Sequence, residues 1–167
     1  RGRARARMPR SLVLAPTREL AAQVAENFDT YSKYLKLTKA LLIGGVSFKE
    51  QDILIDKGVD VLIATPGRLL DHFERGKLIL SDVKLMVVDE ADRMLEMGFI
   101  EEMDFIFERL PSDRHTLLFS ATFPASIEKL SRNIQRDPVR ITIQTEQKSN
   151  PDIEQRAYVV LPFQEET

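Results

Sequence analysis

Cysteine is absent from these 167 residues. That excludes a disulfide framework and any thiolate metal site. Histidine occurs twice, at His72 and His115, too few for a zinc centre built on several imidazoles. No apolar run approaches the roughly 18 residues of a membrane-spanning helix, and no leader has the form of a signal peptide. No membrane partner is therefore expected, and a cytoplasmic location is. Internal repeats and low-complexity linkers are also lacking. Neither sign of charge dominates, the net charge being −2. Any binding of nucleic acid must come from local sites and not from a global basic field.

What is present suits one soluble domain with a real core. The near-neutral balance hides an asymmetry: Arg1–Arg10 carries five arginines and no acid. Such an end can bind nucleic acid, or it can be a solvated, poorly ordered terminus. Residues 1–10 are accordingly read as a basic loop or disordered lead-in.

Lys84–Asp92 organises the rest. Leu85 to Val88 is a short unbroken apolar run, predicted to be a strand buried on both faces, as in a parallel sheet. Asp89, Glu90 and Asp92 follow at once. Carboxylates leaving the carboxyl end of a buried strand stand where open α/β sheets bind ligands. One can hold Mg²⁺, and a neighbour can orient or deprotonate a water. The plainer alternative is a solvated acidic turn.

Strand and helix patterns alternate along the chain. Strands are predicted at 11–15, 40–43, 59–64, 116–119 and 139–143. Helices are predicted at 18–35, with Leu20, Val24, Phe28, Tyr31 and Leu35 on one face, and from Ser47, where Ser47–Glu50 has capping-box spacing. Further helices are predicted at 66–75, from about Asp92, at 101–110 and at 124–136. Met103, Ile106, Phe107 and Leu110, then Ile127, Leu130 and Ile134, are the inward positions of the last two. After Gln144 the text turns polar, and Tyr158–Leu161 reads as a strand whose partners are absent. The alternation predicts a mostly parallel sheet with helices on both faces and functional residues in the loops after the strands.

Three of those loops share a design. Thr17, Ser47 and Thr65 can each cap the helix that follows, with Pro66 at a favoured first helical position. Helix starts offer unpaired N–H groups and a positive dipole end to a phosphate. Gly44, Gly45 and Gly67 permit close backbone approach. Arg18 and Arg68 fall in first turns, where a cation costs about 0.3–1 kcal/mol. Either each pairs with a local carboxylate such as Glu19 or Asp71, or an anion rewards it. Taken as a set, they favour contact with a nucleic acid backbone. Ser120-Ala121-Thr122 on its own reads as a helix start before Pro124, although its hydroxyls could reach the carboxylates after Val88 if the two strands are neighbours. His72 reads as a surface residue, and His115 has no assigned role.

Five stretches in order now carry a resemblance: Pro16-Thr17-Arg18-Glu19-Leu20-Ala21, Gly44-Gly45, Thr65-Pro66-Gly67-Arg68, Asp89-Glu90-Ala91-Asp92 and Ser120-Ala121-Thr122. Together they resemble the first RecA-like domain of a DEAD-box ATP-dependent RNA helicase. The resemblance implies an α/β, RecA-like three-layer sandwich over residues 11–144. It implies that residues 145–167 are an interdomain linker and the start of a second RecA-like domain. It also implies ATP and Mg²⁺ as cofactors, with Asp89 on the metal, Glu90 orienting the attacking water, and Asp92, Ser120 and Thr122 coupling ATP state to RNA binding. Pro16, Thr17, Arg18, Gly44, Gly45, Thr65, Pro66, Gly67 and Arg68 would lie against the RNA sugar-phosphate backbone, without sequence preference. The implied activity is ATP hydrolysis coupled to local separation of RNA duplexes. A DNA helicase of a related superfamily is disfavoured by the first and fourth stretches.

The sequence departs from that family in one respect. Its seven glycines allow no Gly-x-x-x-x-Gly-Lys-[Ser/Thr] phosphate loop. In the family that loop and the first strand lie upstream of Arg1. The chain as given is expected not to hydrolyse ATP although its parent does, and a non-catalytic RNA- or protein-binding role is the alternative. The absent strand is expected to leave Thr116–Phe119 as an exposed apolar edge, inviting self-association.

Overall fold

Short, mostly apolar four-residue runs, each ended by a turn or helix start, build four neighbouring strands of the sheet. In the computed structural model, which describes residues 2, 4–144 and 156–162, these are β1 (Ser11–Leu14), β2 (Lys39–Leu42), β3 (Val61–Ala64) and β4 (Leu85–Val88). The fifth parallel strand is β5 (His115–Ser120). The helices between them are α1 (Arg18–Tyr31), α2 (Phe48–Lys57), α3 (Pro66–Glu74), α4 (Ala91–Glu96) and α5 (Ile100–Glu108), and α6 (Ala125–Ile134) follows β5. Two more strands, β6 (Pro138–Gln144) and β7 (Arg156–Pro162), complete a sheet ordered β2-β3-β1-β4-β5-β7-β6. The β2-β3, β3-β1, β1-β4 and β4-β5 pairs are parallel, and β7 runs antiparallel to β5 and β6.

Side chains alternate across the sheet. Leu12, Leu14, Leu62, Ala64, Met86, Val88 and Leu118 face one side, where they pack with Ile55, Leu69, Met94, Met103, Ile106, Ile127 and Leu130 from α2 to α6. Each fully buried Leu, Met or Ile there contributes about 1.5–3 kcal/mol of apolar burial. Val13, Leu41, Val61 and Ile63 face the other side, against Leu20, Ala21, Val24, Ala25 and Phe28 of α1. All the inward positions predicted for α5 and α6 are buried.

Several sequence expectations change. The central strand is not buried on both faces: Met86 and Val88 are buried, Leu85 and Val87 only half so. The reason is that α1 packs over β1, β2 and β3 and does not reach β4. Helix α1 stops at Tyr31, where Ser32 N–H and Oγ both donate to the Phe28 carbonyl at 2.8 and 2.5 Å. Tyr31 and Leu35 are therefore exposed and not part of the apolar face. The strand at Tyr158–Leu161 has partners after all, β5 and β6. Since β7 pairs with Leu118–Ser120 on the side of β5 away from β4, the expected bare edge at Thr116–Phe119 is covered over its carboxyl half, and the ground for self-association through it weakens. His72 is fully buried and not a surface residue, because α3 turns it inward with Leu69.

The basic lead-in is tied down over residues 5–8 by a turn in which Met8 N–H donates to the Arg5 carbonyl at 3.1 Å. Arg7 N–H reaches the Ile55 carbonyl, and Ile79 N–H reaches the Arg7 carbonyl, both at 2.9 Å. Gly58 makes room for it: φ is +82°, and a Cβ would stand 2.8 Å from the Arg5 carbonyl oxygen. No helix among the described residues is long and apolar enough to cross a membrane.

Candidate functional site

The five parallel strands deliver every singled-out loop to one edge of the sheet, and the strand order divides them. The ends of β2, β3 and β1 are neighbours, and they carry Gly44-Gly45, Thr65–Arg68 and Pro16–Arg18. The ends of β4 and β5 are neighbours, and they carry Asp89–Asp92 and Ser120–Thr122.

At the first group, a concavity of about 460 Å³ is lined by Pro16, Thr17, Arg18, Gly44, Thr65, Gly67 and Arg68, with Asp71, Met97 and Phe99. Gly45 and Pro66 adjoin lining residues but are not in the lining. Gly45 has φ +81°, and a Cβ there would meet Arg18 Nη1 at 2.8 Å. Pro66 is buried at the start of α3. Thr17 caps α1, its Oγ1 accepting from Leu20 N–H at 3.2 Å. Ser47 caps α2 by accepting from Lys49 N–H, also at 3.2 Å, and not from Glu50 as the capping-box spacing suggested. Thr65 makes no side-chain cap. The ring of Pro66 supplies the helical φ that a cap otherwise helps to fix. The Thr65 hydroxyl and the Gly67 and Arg68 amides are thereby left for a ligand.

Neither arginine pairs with its local carboxylate: among the described residues Arg18 has no ion pair, and Arg68 none with Asp71. Arg68 instead donates from Nε to Gln51 Oε1 at 3.0 Å and from Nη2 to the Val46 carbonyl. Its guanidinium carbon lies 3.5 Å from the centre of the Phe48 ring.

At the second group, Asp89 is half-buried. Its Oδ1 accepts from Glu90 N–H at 3.0 Å, and burial pushes its carboxyl above the usual range. Glu90 sits in the left-handed region at φ 47°, ψ 54°, a cost of about 1–3 kcal/mol for a residue with a Cβ. It pairs with Arg93 at 3.4 Å. Asp92 Oδ2 accepts from Thr122 N–H at 3.2 Å and from Thr122 Oγ1 at 2.9 Å. Ser120 Oγ accepts from the Asp92 N–H at 3.3 Å, so it engages the main chain and not the carboxylate. The β4–β5 pairing is what brings these hydroxyls within reach. No cluster of three His, Cys, Asp or Glu able to hold a metal occurs among the described residues.

The two groups touch. Asp89 N–H donates to the Leu14 carbonyl at 2.9 Å, two residues before Pro16. Helix α4 begins at the acids, and its exit supplies Met97 and Phe99 to the concavity.

The family description "DEAD/DEAH box helicase" matches residues 3–130, a span that holds both groups. The chain belongs to the DEAD/DEAH box helicase family. Among curated members of that family, it is 46% identical over 153 residues to the ATP-dependent RNA helicase DeaD of Buchnera aphidicola subsp. Schizaphis graminum, covering 91% of this chain and 26% of that one. The DeaD helicase of Escherichia coli K12 is 43% identical over 153 residues, covering 91% of this chain and 24% of that one. The crystal structure of a DEAD box protein from Methanococcus jannaschii superposes with a TM-score of 0.73 at 37% identity, over 78% of this chain and 36% of that one. The yeast DEAD-box splicing factor Prp28 gives 0.71 at 34%, over 77% and 31%. The chain thus spans about a quarter of the length of the curated DEAD-box relatives it matches.

Reading the sequence by motif missed Gln51, Phe48 and His72, which surround Arg68, and Met97 and Phe99. Gln51 carried a signal: it is a polar residue four before Ile55 on the inward face of α2, and both are buried. Met97 and Phe99 carried none, because they reach the concavity only through the crossing of α4 under the edge.

Proposed function

We propose that this chain is the RNA-binding and water-activating part of the first RecA-like domain of an ATP-dependent RNA helicase. The observation that supports it best is the sorting by strand order: the motif residues at the ends of β1, β2 and β3 surround one concavity, and the acids stand beside it after β4. Unpaired amides at Gly67 and Arg68, the free Thr65 hydroxyl and the unpaired Arg18 are donors of the kind that hold phosphates. Gly45 lets Arg18 lie against the turn after β2. Such contacts read the backbone and leave sequence unread.

Asp89 suits Mg²⁺, which takes few carboxylates and keeps waters and substrate phosphates as its other ligands. One of its oxygens is held by Glu90 N–H, and the other has no partner among the described residues. ATP with its metal, when bound, supplies the phosphoryl group whose hydrolysis drives the cycle. Glu90, held by the left-handed turn, orients and deprotonates the attacking water. Asp92 carries the state of that site through Thr122 and Ser120 to β5. Residues 11–144 form the RecA-like domain in this reading, with 145–167 as linker and lead-in to a second one. That assignment requires β7 to exchange β5 and β6 for partners in the second domain.

The test is RNA-stimulated phosphate release from ATP by the full-length protein, beside the same protein carrying Glu90→Gln and beside this chain alone. Turnover in the full-length protein only, lost in the variant, supports the reading. RNA binding with no turnover in any of the three replaces it with a non-catalytic RNA-binding role.

A further inference from the structure

Gln51 is 2% exposed and uses all four hydrogen-bonding positions of its amide on two different elements, the end of β2 and helix α3. Its Nε2 donates to the Ile43 carbonyl at 3.0 Å and to the Leu41 carbonyl at 3.5 Å. Those carbonyls close β2 immediately before Gly44-Gly45. Its Oε1 receives Arg68 Nε at 3.0 Å and His72 Nε2 at 2.6 Å. The orientation is forced, because the main-chain carbonyls can only accept and the Arg68 guanidinium can only donate. Oε1 must therefore face α3, and His72 Nε2 must carry a proton. Phe48, from the first turn of the same helix, stacks on the Arg68 guanidinium at 3.5 Å and packs edge-on against His72 with centroids 5.1 Å apart. With Nε on Gln51 and Nη2 on Val46, Nη1 of Arg68, a residue of the concavity's lining, has no hydrogen-bond partner among the described residues.

We propose that Gln51, with Phe48, is a positioning unit that holds Arg68 and the Gly44-Gly45 turn in one fixed arrangement for successive phosphates of an RNA strand. The proposal rests on the reading of this surface as the RNA-binding one. A free arginine loses rotamer entropy on binding a phosphate. One already fixed on three sides loses little, so the scaffold raises affinity without touching RNA.

The experiment uses the full-length protein with a non-hydrolysable ATP analogue and fluorescein-labelled single-stranded oligouridylate, followed by anisotropy across a salt series. The variants are Arg68→Ala, Gln51→Met, both together, and Phe48→Leu, each checked by thermal melting. Arg68→Ala is expected to weaken binding about tenfold and to flatten the slope of log affinity against log salt by about 0.7, the value for one phosphate contact on a single strand. Gln51→Met is expected to reproduce both changes, and the double variant to bind no worse than Arg68→Ala, because the two act as one unit. A merely structural role for Gln51 would leave the salt slope unchanged. Wild-type affinity in Gln51→Met, or losses that multiply in the double variant, overturn the proposal and leave the RNA-binding reading standing. Wild-type affinity in Arg68→Ala overturns both. Should Gln51→Met fail to fold, half-buried Phe48 decides: several-fold weaker binding with the flattened slope upholds the proposal, and wild-type behaviour overturns it.

Discussion

The two halves of the sheet edge solve opposite electrostatic problems with the same element, a helix start after a parallel strand. After β2, β3 and β1, the start of α3 has no side-chain cap, Arg18 has no ion pair among the described residues, and glycine supplies the left-handed turn at Gly45. After β4, carboxylates occupy the positions, with the hydroxyls of Ser120 and Thr122 after β5 bonded to Asp92, and the left-handed residue is Glu90, which has a side chain to lose. The first half is built to receive negative charge along a length. The second is built to hold negative charge at a point. Strand order puts them side by side without mixing them, and α4 links them by starting at the acids and ending in the wall of the concavity. If that division is functional, changes in one half must alter different observables from changes in the other.

The largest separation is expected from Glu90→Gln in the full-length protein. Removal of a general base costs about 10²–10⁴-fold in turnover, with RNA affinity within twofold of wild type. Phosphate release and anisotropy read the two quantities separately. A parallel loss of RNA affinity would break the division at its strongest point.

Arg18→Ala should show the converse at smaller scale. The RNA concentration for half-maximal stimulation is expected to rise about tenfold, the worth of a charged hydrogen bond, with a flatter salt dependence. The rate at saturating RNA should move far less. A change confined to that saturating rate would assign Arg18 to the nucleotide half.

Much of this contrast is legible in the sequence, and the illegible part has a physical cause. Strand and helix positions follow from local period and punctuation, so β1 to β5 and the inward faces of α5 and α6 lie where pattern puts them. The grouping of loops does not follow from local pattern, because it depends on strand order. That order places β1 between β3 and β4 although β2 follows β1 in sequence. Burial of His72 and Gln51 is a pairwise matter between α2 and α3: each alone looks like an ordinary polar residue on an amphipathic helix. The antiparallel entry of β7 beside β5 is a long-range contact that no local period signals. Even the Thr65 cap fails for a reason outside its own spacing, since the proline after it already sets the helical turn.

Thr122→Ala tests whether the second half is coupled to RNA binding in the first. It removes the 2.9 Å bond to Asp92 and leaves the main-chain bond at 3.2 Å. Thr122 is exposed, so the stability cost should stay below about 1 kcal/mol. The expected change is in coupling: the ratio of RNA affinities with and without the ATP analogue should shrink several-fold, while each site alone changes little. An unchanged ratio would remove Thr122 from the coupling path.

Gly45 and Glu90, left-handed residues at the two groups, make a matched pair for stability. Gly45→Ala forces a Cβ into a position with φ +81° and against Arg18, and is expected to cost about 1–2 kcal/mol. Glu90→Gly relieves the same kind of backbone cost and is expected to add up to about 1 kcal/mol while abolishing turnover. Denaturant melts of the two variants should therefore move in opposite directions. Equal signs would mean that the Glu90 turn is not strained.

The smallest effects concern pH, and here the halves differ in sign. Burial raises the Asp89 pKa above its ordinary 3.8, so the folded protein holds that proton more tightly than the unfolded chain. Stability is then greatest below 3.8 and falls as pH rises through the raised value. Burial lowers the His72 pKa below its ordinary 6.5, outweighing the Asp52 carboxylate whose Oδ1 lies 3.3 Å from Nδ1; Arg68 and Arg75 add to the lowering. The folded protein therefore resists protonating it, and stability falls as pH drops below 6.5 toward the lowered value. Asp89→Asn should thus stabilise the protein at neutral pH, with the gain vanishing on acidification into the carboxylate range. His72→Gln should flatten the decline below 6.5 and leave the Asp89 effect intact. Thermal melts from pH 7 downward separate them, and a gain from Asp89→Asn that grew on acidification would reverse the sign assigned to its burial.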